Sequence, residues 1–123
     1  MRTIINRRTE GNCLFLEDVN GKTIVILKEI LQGKELTIEL NGSLTSDSTH
    51  DFEDEIVAFS IMCERIILDF KELTYISNSI IKILLQLEHM MEAKDGELII
   101  KNMGDKVRTS FEEMGLEDVF YIV

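Results

Sequence analysis

The chain of 123 residues contains no proline and no tryptophan, only two cysteines, and few basic groups. A typical proline content of about 5% would give roughly six. Its absence excludes a Pro-rich linker and a polyproline ligand segment. The cysteines, Cys13 and Cys63, and the histidines, His50 and His89, show no CxxC or HxxxH spacing, so no metal site is read from them. A chain of this size does not need a disulfide. Thirteen Lys and Arg stand against 23 Asp and Glu, a formal charge of −10. Such a chain repels phosphate backbones, which argues against DNA or RNA as a partner. Long apolar runs are missing too. The longest candidate, Ile80–Leu85, is broken by Lys82 and falls far short of the ~20 residues of a membrane span. The apolar stretch after Arg2, Arg7 and Arg8 is only Cys13–Leu16, too short for a signal-peptide core. The expectation is a cytoplasmic protein in a reducing compartment.

Hydrophobic residues make up 45% and charged residues 29%, as in a soluble chain with one core. The charge is uneven. Residues 1–34 carry six basic and four acidic groups, and residues 35–123 carry seven and nineteen. This predicts an N-terminal element, residues 1–23, added to an acidic body, residues 24–123. In the extension, Thr3–Ile5 and Cys13–Leu16 flank a Glu10-Gly11-Asn12 turn and suggest a β-hairpin. Asn20-Gly21 is a further turn. Ile24–Leu31 and the alternating Leu36, Ile38 and Leu40 read as strands about a Gln32-Gly33-Lys34 turn, the second ending at Asn41-Gly42.

Ser46-Asp47-Ser48-Thr49 offers N-caps to a helix whose face is Phe52, Ile56, Phe59 and Cys63. Ile66–Phe70 reads as a buried strand that leads through a short loop to Ser77-Asn78-Ser79. A mostly apolar helix from about Ser79 to Ala93 follows, then a strand at Leu98–Ile100. A last helix is capped by Asp105, and Val119–Val123 closes the chain as a strand. The body thus reads strand-strand-helix-strand-helix-strand-helix-strand. That order predicts a mixed sheet with parallel pairs and right-handed crossovers.

The search for catalytic chemistry is negative: there is no Gly-rich phosphate loop, no GxSxG and no HExxH. Asp51, Glu53, Asp54 and Glu55 suit the first turn of a helix, where carboxylates complement the dipole. Ser77-Asn78-Ser79 is the segment with a sharper reading. A helix opening there presents free N–H groups, which would stabilise a phosphoryl group added to a hydroxyl. Simple N-capping by Ser77 or Asn78 explains the same residues.

These elements and residues resemble the STAS family, the fold of bacterial anti-sigma-factor antagonists. The resemblance is carried by Gly42-Ser43-Leu44-Thr45, Ile67-Leu68-Asp69-Phe70, Tyr75-Ile76-Ser77-Asn78-Ser79-Ile80, Asp95-Gly96-Glu97-Leu98 and Met114-Gly115-Leu116. It implies an α/β fold: a mixed β-sheet with helices packed mainly on one face, here with a short N-terminal β extension. It also implies a non-catalytic regulatory domain, without cofactor or metal, that takes part in transcription regulation or signalling. Its partner is a protein, such as an anti-sigma factor with serine kinase activity or another signalling protein.

By this resemblance the phosphoacceptor is Ser79, with Ser77 second, and the partner-binding residues are Ser43, Thr45, Ser77, Asn78, Ile80 and Lys82. Ser77, Asn78 and Ile80 stand where the family has Asp, Ser and Gly. The segment from Tyr75 to Lys82 is also similar to a divergent group of single-domain STAS-like regulators that control signalling enzymes. In that group the acceptor can fall at the position of Asn78. The alternative expectation is a STAS-fold scaffold, or a subunit of a signalling or transport complex, that is not phosphorylated.

Overall fold

The computed structural model describes residues 4–123, so Met1, Arg2 and Thr3 of the expected extension lie outside the described residues. The chain forms β1 (Ile4–Glu10), β2 (Cys13–Asp18), β3 (Thr23–Gln32) and β4 (Glu35–Leu44). A 3₁₀ turn (Ser46–Ser48) then leads into α1 (Thr49–Met62), β5 (Arg65–Ile76) and α2 (Asn78–Ala93). The chain ends with β6 (Glu97–Lys101), α3 (Asp105–Glu113) and β7 (Tyr121–Ile122).

All seven strands lie in one sheet in chain order. The first four are antiparallel neighbours. The pairs from β4 to β7 are parallel. Parallel neighbours need crossovers, and three right-handed crossovers stepping in one direction place α1, α2 and α3 on the same face. The strands alternate to suit this. Leu14, Leu16, Val25, Leu27, Leu36, Ile38, Leu40, Ile66, Leu68, Phe70, Leu98 and Ile100 form the buried side. Phe52 and Ile56 of α1, Ile80, Ile81, Leu84, Leu87 and Met91 of α2, and Val107 and Phe111 of α3 close over them. Phe111 packs edge-on against Phe120, with ring centroids 5.4 Å apart, and tilted against Phe70 at 6.5 Å.

The mixed sheet with its β extension is as expected, but several boundaries differ. β4 continues past Asn41-Gly42 to Leu44, and β5 continues past Phe70 to Ile76, where a loop was expected. The reason is pairing: Gly42 faces Leu73, Ser43 faces Tyr75 and Leu44 faces Ile76 across two register shifts. An extra residue in β5 absorbs the first shift as a bulge. Asp69 holds it, its Oδ1 accepting from the Lys71 N–H and from Asn102 Nδ2, both at 3.0 Å.

Gly42 sits at φ +114°, and a Cβ there would stand 2.3 Å from the Ile24 carbonyl oxygen. Only glycine fits this approach of β4 to β3. α3 is capped by Gly104, and Asp105 is its first helical residue. Of the acidic cluster, only Asp51 lies in the first turn of α1. Asp54 pairs with His50 at 3.3 Å, and Glu55 pairs with Arg7.

Candidate functional site

The parallel strands β4 and β5 end side by side, and α1 and α2 both begin there. The amino termini of two helices therefore converge beyond the carboxyl ends of these strands. The Ser77 N–H donates to the Leu44 carbonyl at 2.9 Å, which ties the start of α2 to the end of β4. Ser77 then leaves the strand in an extended conformation and caps α2, its Oγ accepting from the Ile80 N–H at 3.4 Å. A cap of this kind is worth about 1 kcal/mol.

A row of hydroxyls crosses from α2 to α1. Ser77 Oγ lies 3.0 Å from Ser79 Oγ, which lies 3.0 Å from Thr49 Oγ1. Thr49 in turn donates to the Ser46 carbonyl at 2.7 Å. Next to it, Ser48 Oγ donates to the Thr45 carbonyl at 2.8 Å. A second pair lies on the same edge. Ser43 Oγ is 3.2 Å from Thr74 Oγ1, which donates to the Gly42 carbonyl at 3.0 Å. A depression of about 330 Å³, lined by Ser46, Asp47, Thr49, His50 and Glu53, borders the row.

Most of the residues singled out in the sequence thus meet at one end of the sheet. Ser77 is 7% exposed and committed to the cap. Ser79 is half-buried, and Asn78 and Lys82 are exposed on α2. Ser43 and Thr45 are half-buried on the neighbouring β4 edge. Ile80 is fully buried, because the third residue of α2 points onto the sheet, so its side chain is in the core and not on this surface. Two residues escaped sequence reasoning. Thr49 reads locally as one more capping residue, and only the α1–α2 contact shows its partner. Tyr75 is 52% exposed beside Ser77. Its position at the polar end of an apolar strand was the available signal.

Among the described residues, neither cysteine is set up as an activated nucleophile. Burial pushes the Cys63 thiol above its ordinary value, with Lys94 working weakly against it. A buried thiol held neutral is unreactive. Cys13 and Cys63 are both free. Among the described residues there is no cluster of His, Cys, Asp and Glu able to hold a metal ion. Nor is any helix long and apolar enough to cross a membrane.

The sheet order and the helix start at Ser77 agree with a family comparison. The family model described as Mlab, STAS domain matches residues 28–123. The chain belongs to the STAS domain family. The STAS match begins inside β3, so β1, β2 and the first half of β3 precede it. A STAS-domain containing protein of Pseudomonas aeruginosa (strain UCBPP-PA14) is 27% identical over 90 residues, covering 73% of this chain and 89% of that protein.

Among solved structures, the anti-sigma factor antagonist SpoIIAA in its unphosphorylated form matches with a TM-score of 0.69 at 21% identity, covering 79% of this chain and 87% of that one. The phosphorylated form of the Bacillus cell fate determinant SpoIIAA matches with a TM-score of 0.64 at 20% identity, covering 79% and 90%. These likenesses establish the STAS fold.

Proposed function

We propose that this chain is a non-catalytic, protein-binding regulatory domain of the anti-sigma-factor-antagonist kind, switched by phosphorylation of Ser79. The observation that carries the reading is the place of Ser79. It is the second residue of α2, half-buried, at the carboxyl ends of β4 and β5. A phosphoryl group there adds about −1.5 to −2 charges at pH 7. The amino-terminal turn of α2 favours that charge through its dipole. The surface around it is already acidic, with Asp47 and Glu53 on the adjoining depression. Modification therefore adds charge to a face that is already negative, and a partner packed on that face is loosened by the cost of desolvating and opposing the new charge. Ser43, Thr45, Asn78, Lys82 and Tyr75 supply the docking edge. The solved phosphorylated form of SpoIIAA supports the reading by fold likeness. The chemistry of transfer would belong to the kinase, which supplies its own base and metal ions.

One observation favours the second reading, an interaction module or complex subunit that is not modified: Ser79 Oγ is hydrogen-bonded on both sides. Intact-mass analysis of the protein from its native cells separates the two. The switch predicts a species heavier by one phosphoryl group, absent from Ser79→Ala, and weaker partner binding by Ser79→Asp. No such species across growth and stress conditions, with Ser79→Asp binding normally, would leave the unmodified module.

A further inference from the structure

Building on the reading of Ser79 as the phosphoacceptor, we propose that Thr49 is a latch on it. The Thr49 hydroxyl holds the Ser79 hydroxyl turned toward α1, and this bond must open before Ser79 is modified.

The direction of every bond in the row follows from proton counting. A serine or threonine hydroxyl has one proton to donate. Thr49 gives its proton to the Ser46 carbonyl at 2.7 Å, which can only accept. The 3.0 Å contact between Thr49 and Ser79 is therefore donated by Ser79. With that proton used, the 3.0 Å contact between Ser77 and Ser79 is donated by Ser77. Ser77 Oγ completes the row by accepting from the Ile80 N–H. Each hydroxyl donates once and accepts once, and the row runs in one sense from the cap of α2 to the turn before α1.

The Ser79 proton thus points at α1. In phosphoryl transfer, the Ser79 oxygen forms a bond to the γ-phosphorus of a nucleoside triphosphate. The bond from that phosphorus to the nucleoside diphosphate breaks, and the Ser79 proton passes to a base on the kinase. Such a base works within about 2.6–3.2 Å of the proton it takes. In the observed rotamer Thr49 occupies that place, so Ser79 must first turn away from α1. The modified oxygen has no proton left to donate. Thr49 could then bond the modified group only by turning its own proton away from the Ser46 carbonyl. The bond donated by Ser79 therefore opens for modification and cannot re-form in the same sense after it. Thr49 is the first residue of α1, so the change reaches the acidic first turns of that helix. Thr49 is a positioning residue, because it acts through Ser79.

Two measurements on the full chain test this. The first is a double-mutant cycle of Thr49→Val and Ser79→Ala in urea unfolding. The latch predicts that the two changes together cost less than their product by roughly fivefold in the folding equilibrium constant, the size of one hydrogen bond. Thr49→Ser should behave as the parent. Additive effects would overturn the latch. The second is the phosphorylated fraction of Ser79 in native cells, read by intact mass and peptide mapping. Thr49→Val should raise it several-fold, and Thr49→Ser should leave it at the parent level. An unchanged fraction in Thr49→Val overturns the gate, even where the cycle shows coupling. Coupling with no phosphate on any variant overturns the reading of Ser79 as an acceptor, and the gate with it. Phosphate on Ser79 without coupling overturns the latch alone.

Discussion

Glu29, Glu55 and Arg7 meet at the rim of the helix-covered face. Arg7 lies opposite Leu16 in the β1–β2 ladder and so shares its side of the sheet. From there it pairs with Glu55 of α1. Arg8, the next residue, takes the other side, where it stacks over Phe15 at 4.2 Å and pairs with Glu10 and Glu17. Burial pushes the carboxyl of Glu29, on β3, up to about 8, the Glu55 carboxylate adds to the rise, and Arg7 works weakly against it. The folded state therefore holds a proton that the unfolded chain releases near its ordinary value of 4.5. Between these values the folded state binds more protons, so stability falls as pH rises through the window. The full penalty stands above about 8. Glu29→Gln is neutral at every pH and can still donate to Glu55. Its urea midpoint should match the parent near pH 4 and exceed it near pH 9. Parallel pH profiles for the two proteins would refute this account.

At the scale of elements, the extension is part of the sheet. β2 pairs with β3 from Cys13↔Lys28 to Glu17↔Thr23, and β1 covers β2 in turn. Leu14 and Leu16 enter the core at 2% and 0% exposure. Of its arginines, Arg8 pairs with Glu17 inside the segment and Arg7 reaches Glu55 of the acidic body. Without β1 and β2, the ten-residue β3 would present an unpaired edge backed by Val25 and Leu27, the kind of edge that pairs with another chain. Deleting residues 1–22 should therefore lower the urea midpoint and produce concentration-dependent association in light scattering. A monomer of parental stability would show that the hairpin is dispensable. Lys94, just beyond α2, has a similar joining role, since its ammonium donates to the carbonyls of Ser60 and Cys63 at the end of α1. With the Thr49–Ser79 bond at the opposite ends, α1 and α2 are tied at both termini.

For the molecule as a whole, stability rests on a single core whose far side is the Phe70, Phe111 and Phe120 cluster. Phe111 is fully buried and fastens α3 and the carboxyl-terminal segment to β5. Phe111→Ala should cost about 3–5 kcal/mol, a large share of the roughly 5–15 kcal/mol that holds a domain folded. Urea unfolding measures it, and a loss under about 1 kcal/mol would mean that the cluster relaxes around the gap.

Much of this architecture was legible along the chain. The alternation of Leu36, Ile38 and Leu40 and the apolar helix after Ser77-Asn78-Ser79 are local patterns, set by backbone periodicities of two and 3.6 residues. The position of Ser79 at a helix start followed from the same patterns. What sequence alone could not decide depends on groups far apart in the chain. The bulge in β5 and the extension of β4 to Leu44 follow from interstrand pairing. The burial of Ile80 follows from how α2 lies on the sheet. Ser79 and Thr49 are 30 residues apart, and their bond exists because two crossovers start at adjacent strand ends. Glu29, Glu55 and Arg7 are assembled in the same way. The sequence by itself determined the order and type of the elements, the acidic body and the hydroxyl-rich helix start. Only the tertiary structure decided which hydroxyl holds Ser79 and which carboxyl keeps its proton, because hydrogen bonds and desolvation act over a few ångströms of space and take no account of distance along the chain.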